Sequence, residues 1–241
     1  MLSGNVLTQT MERSFWTELF DLISPRLCPS CHRRLSAEES ALCAACRLHL
    51  PLTHFEQTPE DNHMARRFWG QIPIERAAAL FYYEPGTLTG ELVHALKYGH
   101  KKELAESMGR LAASTFAAKG FFQGIDVLVP IPLTRFRQWQ RGYNQSHQIA
   151  RGISSLTGIP IANRVVRRVH FAGSQTHQSV QSRWQNVENA FRLCRPEAIA
   201  GQHVLIVDDV VTTGATTISC ALELLKAGNV TISILSLGYT R

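Results

Sequence analysis

Residues 204–217 read Val-Leu-Ile-Val-Asp-Asp-Val-Val-Thr-Thr-Gly-Ala-Thr-Thr, and the groups best suited to chemistry gather there. The apolar run 203–207 predicts a short strand that ends in two adjacent carboxylates, Asp208 and Asp209. A turn rich in Thr and Gly follows, then a helical pattern through Ile218, Ala221, Leu222 and Leu225. In an open parallel sheet, ligands bind beyond the carboxyl ends of the strands. A turn that opens into a helix offers unpaired N–H groups and a positive dipole end to a phosphate. Gly214 has no Cβ, so an anion can come close to the backbone there. Thr212, Thr213, Thr216 and Thr217 add hydroxyls. The two acids just before this cradle suit the vicinal hydroxyls of a sugar, so a 5-phosphorylated ribose matches the layout.

This run resembles the binding signature of the type I phosphoribosyltransferases, which hold 5-phosphoribosyl-1-pyrophosphate (PRPP). Other strand-end motifs fit less well. A response-regulator receiver carries paired acids near the chain start and lacks the Thr-Thr-Gly-Ala-Thr. A Walker A loop needs a closing Gly-Lys-Ser/Thr, and a dinucleotide fingerprint needs more than one Gly. The plain alternative is a buried strand followed by a polar turn, which leaves two costly acids without partners.

A second constellation lies near the N-terminus. Cys28-Pro-Ser-Cys31 and Cys43-Ala-Ala-Cys46 are two CxxC knuckles separated by 11 residues. Each presents two thiolates, and two knuckles complete a closed tetrahedron around one Zn²⁺, which implies a structural role. His32, His49, His54 and His63 lie nearby as alternative ligands. Cys194 and Cys220 belong to no such motif. Four of six Cys in paired knuckles fits a reducing compartment.

A third signal is charge. The net charge is +6, and residues 127–187 hold no Asp, Glu or Lys. They carry eight arginines: Arg135, Arg137, Arg141, Arg151, Arg164, Arg167, Arg168 and Arg183. Arg grips phosphate through a planar fork, so this stretch points to a polyanionic ligand, with a solvated basic surface as the alternative. Trp139, Tyr143, Phe171 and Trp184 lie among these arginines, where they could stack bases or simply fill the core.

The elements that must position these groups follow from periodicity. Strands are expected at 74–83, 126–131, 165–169, 203–207 and 230–237. Helices are expected at 89–118 with a break near Gly99, at 144–156 and at 216–227, with a helical turn at 182–189. The alternation argues an α/β fold, a parallel sheet with helices on both faces. Residues 1–26 read as an amphipathic helix with its approach, 27–70 as the zinc-binding unit followed by an irregular polar linker, and 71–241 as the main domain. A composition of 44% hydrophobic and 18% charged residues suits a soluble domain, and no apolar run approaches the roughly 20 residues of a membrane span. With Glu12, Glu18 and Asp21 interrupting the start, no signal peptide is expected, and the chain reads as cytoplasmic.

Further stretches join these. Leu96-Lys-Tyr-Gly99, Val129-Pro-Ile-Pro-Leu133, Arg141-Gly-Tyr-Asn-Gln-Ser146, then Gln175, Arg183, Asn186 and Ala190-Phe191 follow in order. With the Cys knuckles and the Asp-Asp run, this order resembles the ComF family (competence protein F, or double-zinc-ribbon phosphoribosyltransferase-like proteins), from about residue 14 to the C-terminus. Asp61-Asn62 before Phe68-Trp69-Gly70 is also similar to some members. The resemblance implies a type I phosphoribosyltransferase-like sheet with a small N-terminal four-cysteine zinc unit. It also implies handling of single-stranded DNA in the cytoplasm during natural transformation, with other DNA-uptake proteins as partners and no stable membrane insertion.

By position, Asp208 and Asp209 would take the ribose hydroxyls, and Thr212, Thr213, Gly214, Ala215 and Thr216 the 5-phosphate. The loop with Pro130 and Ile131 would face pyrophosphate and its Mg²⁺. Arg141, Asn144 and Arg183 would complete PRPP binding, and Arg141 joins the two acids as a catalytic candidate if the protein transfers the phosphoribosyl group to an acceptor. Surface charge is the alternative for Arg141 and Arg183, helix capping for Asn144, and snorkelling from a packed helix for Lys97. Double-ribbon members carry a second Cys-rich half. Here that region has no Cys beyond Cys46, which implies a single metal site.

Overall fold

The computed structural model describes residues 26–36, 38–39, 41–99, 101–169 and 190–241. It divides into two compact units, Met1–Leu50 and Pro51–Arg241. The expected amphipathic helix at 11–23 and the helical turn at 182–189 lie outside the described residues, as do Phe171, Gln175, Arg183, Trp184 and Asn186.

In the first unit, residues 27 and 34 pair across the first Cys knuckle as an isolated antiparallel bridge. The second knuckle opens α1 (Ala44–Leu48), with Cys43 at its N-cap.

The second unit begins with residues expected to form a linker, and the structure corrects that. Tyr82 N donates to Pro51 O at 2.9 Å and Thr53 N to Leu80 O at 3.1 Å, so this segment runs beside the first strand. Phe55 is buried edge-on against Tyr82 and Tyr239. Asn62 caps α2 (His63–Arg66) by accepting from Met64 N and Ala65 N, and its Nδ2 donates to Ala77 O at 2.8 Å. Polar composition concealed a few well-placed apolar anchors, including Phe55, Met64 and Phe68.

Among the described residues the core is a sheet of four strands, in the order β1 (Arg76–Tyr82), β6 (Thr231–Tyr239), β5 (His203–Val211) and β2 (Val127–Pro130), with all neighbours parallel. β1 (Arg76–Tyr82) leads to α3 (Leu88–Tyr98) and α4 (Lys102–Ala117), then to β2 (Val127–Pro130). The expected break falls between these helices, where Gly99 caps the first. After β2 come α5 (Arg135–Arg141) and α6 (Gln145–Thr157). β3 (Val166–Arg168) and β4 (Phe191–Leu193) form a separate antiparallel pair. The strand expected at 165–169 is therefore real but sits outside the main sheet. β5 (His203–Val211), α7 (Ala215–Leu225) and β6 (Thr231–Tyr239) finish the chain.

Parallel strands covered on both faces read as continuous apolar runs. The central strands obey this, since residues 204–207 and 232–239 are buried throughout. α4 and α6 pack backbone to backbone. A Cβ on Gly109 would lie 2.2 Å from Ile149 O, and one on Gly152 would lie 2.0 Å from Glu106 O. Only residues without a side chain allow that approach, which brings α6 down beside β2 and β5.

Candidate functional site

β5 is longer than expected and carries Asp208 and Asp209 within the ladder, with Asp208 opposite Ser236 of β6. Asp208 is buried, with 8% of its surface exposed. Its Oδ1 accepts from Ser146 Oγ of α6 at 3.3 Å and from Asp209 N at 2.9 Å. Burial pushes its carboxyl well above the ordinary carboxylate range, and the neighbouring Asp209 charge pushes the same way. Asp209 Oδ1 accepts from Val210 N at 2.8 Å. Its Oδ2 is buried without a hydrogen bond and has only the Lys97 ammonium of α3 at 3.5 Å. Lys97, expected to snorkel from a packed helix, instead faces the acids.

The acids open into a cavity of about 290 Å³ at the carboxyl ends of the strands. Thr212, Thr213, Gly214, Ala215 and Thr216 form one wall. Gly214 has φ +80°, a left-handed conformation that other residues adopt only with strain, and it is the N-cap of α7. The first intrahelical bond runs from Ile218 N to Gly214 O, so the amides of residues 215–217 precede the hydrogen-bonded ladder. Ala215 N makes a long contact of 3.4 Å to Thr213 Oγ1. This wall is a helix N-terminus facing a cavity, the arrangement that favours phosphate.

The opposite wall is cationic. Arg137 and Arg141 enter from α5 and Arg168 from β3. Arg141 ends α5, Gly142 turns at φ +73°, and Arg141 Nη1 donates to Gln145 Oε1 at 2.9 Å. Burial lowers the Arg168 guanidinium from its ordinary value, as does Arg137, while Asp208 partly restores it.

The proline loop divides. Ile131 and Leu133 line this cavity, whereas Pro130, Pro132 and Leu133 line a neighbouring groove of about 1350 Å³. Pro130 is buried and still within β2, paired with Val207, rather than in the loop that leaves it. Asn144 stands at the N-cap of α6 but does not cap it with its side chain. Instead its Nδ2 donates to Ile131 O at 3.0 Å, and its Oδ1 is buried without a partner on the groove side. Lys102, Arg135, Arg164, Arg167, Arg168 and Arg195 also line the groove, and among the described residues no Asp or Glu does. Of the aromatics weighed for stacking, Tyr143 is core, donating to Leu96 O at 2.5 Å, while Trp139 is 81% exposed on α5.

Ser146 bonds to Asp208 and Arg168 lines the same cavity, though neither was singled out for the pocket. Ser146 carried a faint signal as the last residue of the Arg-Gly-Tyr-Asn-Gln-Ser stretch. Arg168 carried only its place in the arginine run.

In the first unit, Cys28, Cys31, Cys43 and Cys46 bring their sulfurs within 4.8 Å of one another. Four thiolates around one tetrahedral Zn²⁺ would stand about 3.8 Å apart, so the donor set fits such an ion. Burial raises the Cys28 thiol, but hydrogen bonds from Cys31, Cys43 and Ser30 outweigh that and bring it to about 7. His32 and His54 take left-handed backbone conformations, and His49 Nδ1 lies 2.8 Å from Ala45 O.

Comparison with known proteins agrees with this architecture. The model of the phosphoribosyl transferase domain matches residues 96–237. The chain is 30% identical to the DNA utilization protein YhgH of Salmonella typhimurium, over 88% of this chain and 96% of that protein. It is 25% identical to the competence protein ComFC of Bacillus subtilis, over 89% of this chain and 86% of that one. It is also 38% identical to competence protein F of Haemophilus influenzae, over 43% of this chain and 45% of that one.

The buried acid yields a stability prediction. A carboxyl raised in the folded state stabilises the fold below its unfolded value, and that contribution is lost as pH rises through the folded value. Asp208→Asn keeps an acceptor for Ser146 and the Asp209 amide but carries no charge. The ligand-free variant should be more stable than wild type at neutral pH by roughly 0.5–2 kcal/mol, the usual scale of a stabilising substitution. The gain should fade toward acid pH. Urea denaturation at several pH values measures it, and a variant less stable at pH 7 would contradict the burial argument.

Proposed function

This chain belongs to the ComF family, built on a phosphoribosyl transferase domain, and we propose that it binds PRPP or a phosphoribosyl group in the cavity at the end of β5. The observation that carries this reading is the pairing of buried Asp208 and half-buried Asp209 with a helix N-terminus in one cavity of about 290 Å³. The acids accept from the ribose 2- and 3-hydroxyls, and the amides of residues 213–217 receive the 5-phosphate. Arg137, Arg141 and Arg168 meet the pyrophosphate. Mg²⁺, when bound, neutralises pyrophosphate charge. It takes oxygen ligands, and the buried Asp209 Oδ2, which lacks a hydrogen bond, suits it. Arg183, outside the described residues, remains a candidate for the same ligand.

The cellular role is cytoplasmic handling of single-stranded DNA during natural transformation, alongside other DNA-uptake proteins. The names of the relatives, a DNA utilization protein and competence proteins, support it. So does the acid-free, arginine-lined groove beside the sugar site. Among the described residues, no helix is long and apolar enough to cross a membrane. The small four-cysteine unit holds one structural Zn²⁺.

A second reading, favoured by the size of the groove, is turnover of PRPP with a small acceptor bound there. The acceptor atom would bond to C1 as the C1–O bond breaks, and pyrophosphate would leave with the electron pair. The cavity's arginines would stabilise that charge.

Three outcomes test these readings. Elemental analysis should find about one zinc per chain, reduced to background by Cys28→Ser with Cys31→Ser; a zinc-free wild type refutes the metal. Calorimetry should show Mg²⁺-dependent PRPP binding that weakens by about 2–4 kcal/mol in Asp208→Asn with Asp209→Asn, the scale of lost charge-assisted hydrogen bonds. An unchanged affinity rejects the sugar assignment. Fluorescence anisotropy with a labelled single-stranded oligonucleotide should show log affinity falling linearly with log salt, by ~0.7 per phosphate contacted. Replacing Arg135, Arg137 and Arg141 with Ala should flatten that slope across sequences alike. No binding at low salt ends the DNA reading and leaves the transferase.

A further inference from the structure

The segment before β1 reaches the phosphate loop through Arg67, which directly follows α2. Arg67 Nη1 donates to the carbonyl oxygen of Thr212, and Nη2 donates to Thr240 O at 3.2 Å. These carbonyls belong to the residues that leave β5 and β6, so one guanidinium fork spans the exits of two neighbouring strands. The guanidinium lies 4.8 Å from the centre of the Tyr239 ring, and Tyr239 Oη donates to His63 O at 3.0 Å, tying the strand back to α2. The next residue, Phe68, is buried beneath the same loop, where a Cβ on Gly214 would lie 3.1 Å from its ring. One dipeptide thus touches the loop at residues 212 and 214. Among the described residues no carboxylate lies within ion-pair distance of Arg67.

A trans peptide is planar, so its C=O and N–H point in opposite directions. Fixing the Thr212 carbonyl toward Arg67 therefore fixes the Thr213 N–H away from it. It also prevents that carbonyl from turning its negative end toward a bound anion.

We propose that Arg67 is a positioning residue for the phosphate loop: it orients the Thr212–Thr213 peptide so that the loop amides receive the 5-phosphate of a phosphoribosyl ligand. It does so without touching that ligand. The proposal rests on the phosphoribosyl reading above and adds that a residue outside the cavity sets the shape of its anion wall.

The test uses the full-length, metal-loaded protein and two probes, ribose 5-phosphate and inorganic pyrophosphate with Mg²⁺. Arg67→Met keeps most of the apolar stem and removes the fork. Ribose 5-phosphate affinity should fall roughly tenfold, the scale of one lost charge-assisted hydrogen bond, while pyrophosphate affinity stays at the wild-type value. Arg67→Lys, which can donate to one carbonyl at a time, should recover part of the loss. The backbone amide chemical shifts give a ligand-independent readout: those of residues 212–216 should change in Arg67→Met, with those of β1 and β2 unchanged. An equal loss for both probes, or shift changes throughout the sheet, would make Arg67 a general packing residue and overturn the proposal. Wild-type affinity for ribose 5-phosphate in Arg67→Met would overturn it and leave the sugar site standing. Failure of the wild type to bind ribose 5-phosphate would instead remove the phosphoribosyl reading and this proposal with it.

Discussion

Two adjacent carboxylates, one buried and one half-buried, sit at the end of a central strand, and the surroundings of the cavity are organised around that constraint. Asp208 is buried and its neighbour carries the same charge, so Asp208 cannot be held ionised without compensation. Compensation arrives from separate elements: Ser146 from α6, Lys97 from α3 and Arg168 from β3. The close glycine crossing of α4 and α6 lets α6 approach the sheet and deliver Ser146. Yet Asp209 Oδ2 is left with a single ammonium at 3.5 Å and no hydrogen bond. The acids are thus better satisfied by an added partner than by the protein alone, and sugar hydroxyls or a cation are partners of that kind.

Around the acids, charge is sorted by compartment. The loop before α7 offers backbone amides and a left-handed glycine to the cavity, and its own residues carry no cation. The cations lie opposite, on α5 and β3, where a ligand's more distant charges would fall. α5 stands between the two cavities. Arg137 and Arg141 line the smaller, Arg135 and Gln138 line the groove, and none of its residues is buried. A helix with so little core contact can carry three arginines in seven residues without burying a charge.

Much of this was legible in the sequence because local signals and tertiary demands agree there. The Asp-Asp run, the Gly214 turn and the amphipathic α7 fall within 22 residues of one another, and the four Cys carry their spacing openly. The parallel sheet followed from apolar runs alternating with helical periods. The segment at 51–70 was illegible because its order comes from Thr53 and Asn62 bonding to β1, partners that periodicity does not reveal. β3 read as another strand of the main sheet because a short apolar run does not name its partner. α5 was not expected at all, because the left-handed Gly142 ends this short helix just before α6 begins. Ser146, Lys97 and Arg168 come from three elements, and only the folded chain shows that they converge.

The most direct test of the central claim is a crystal structure of the protein soaked with PRPP and Mg²⁺. The account predicts one PRPP in the cavity of about 290 Å³, with its ribose hydroxyls on Asp208 and Asp209, its 5-phosphate at the amides of residues 213–217 and its pyrophosphate facing the arginines. An empty cavity at saturating PRPP, or a ligand held only in the groove with its phosphates away from the α7 N-terminus, would contradict it.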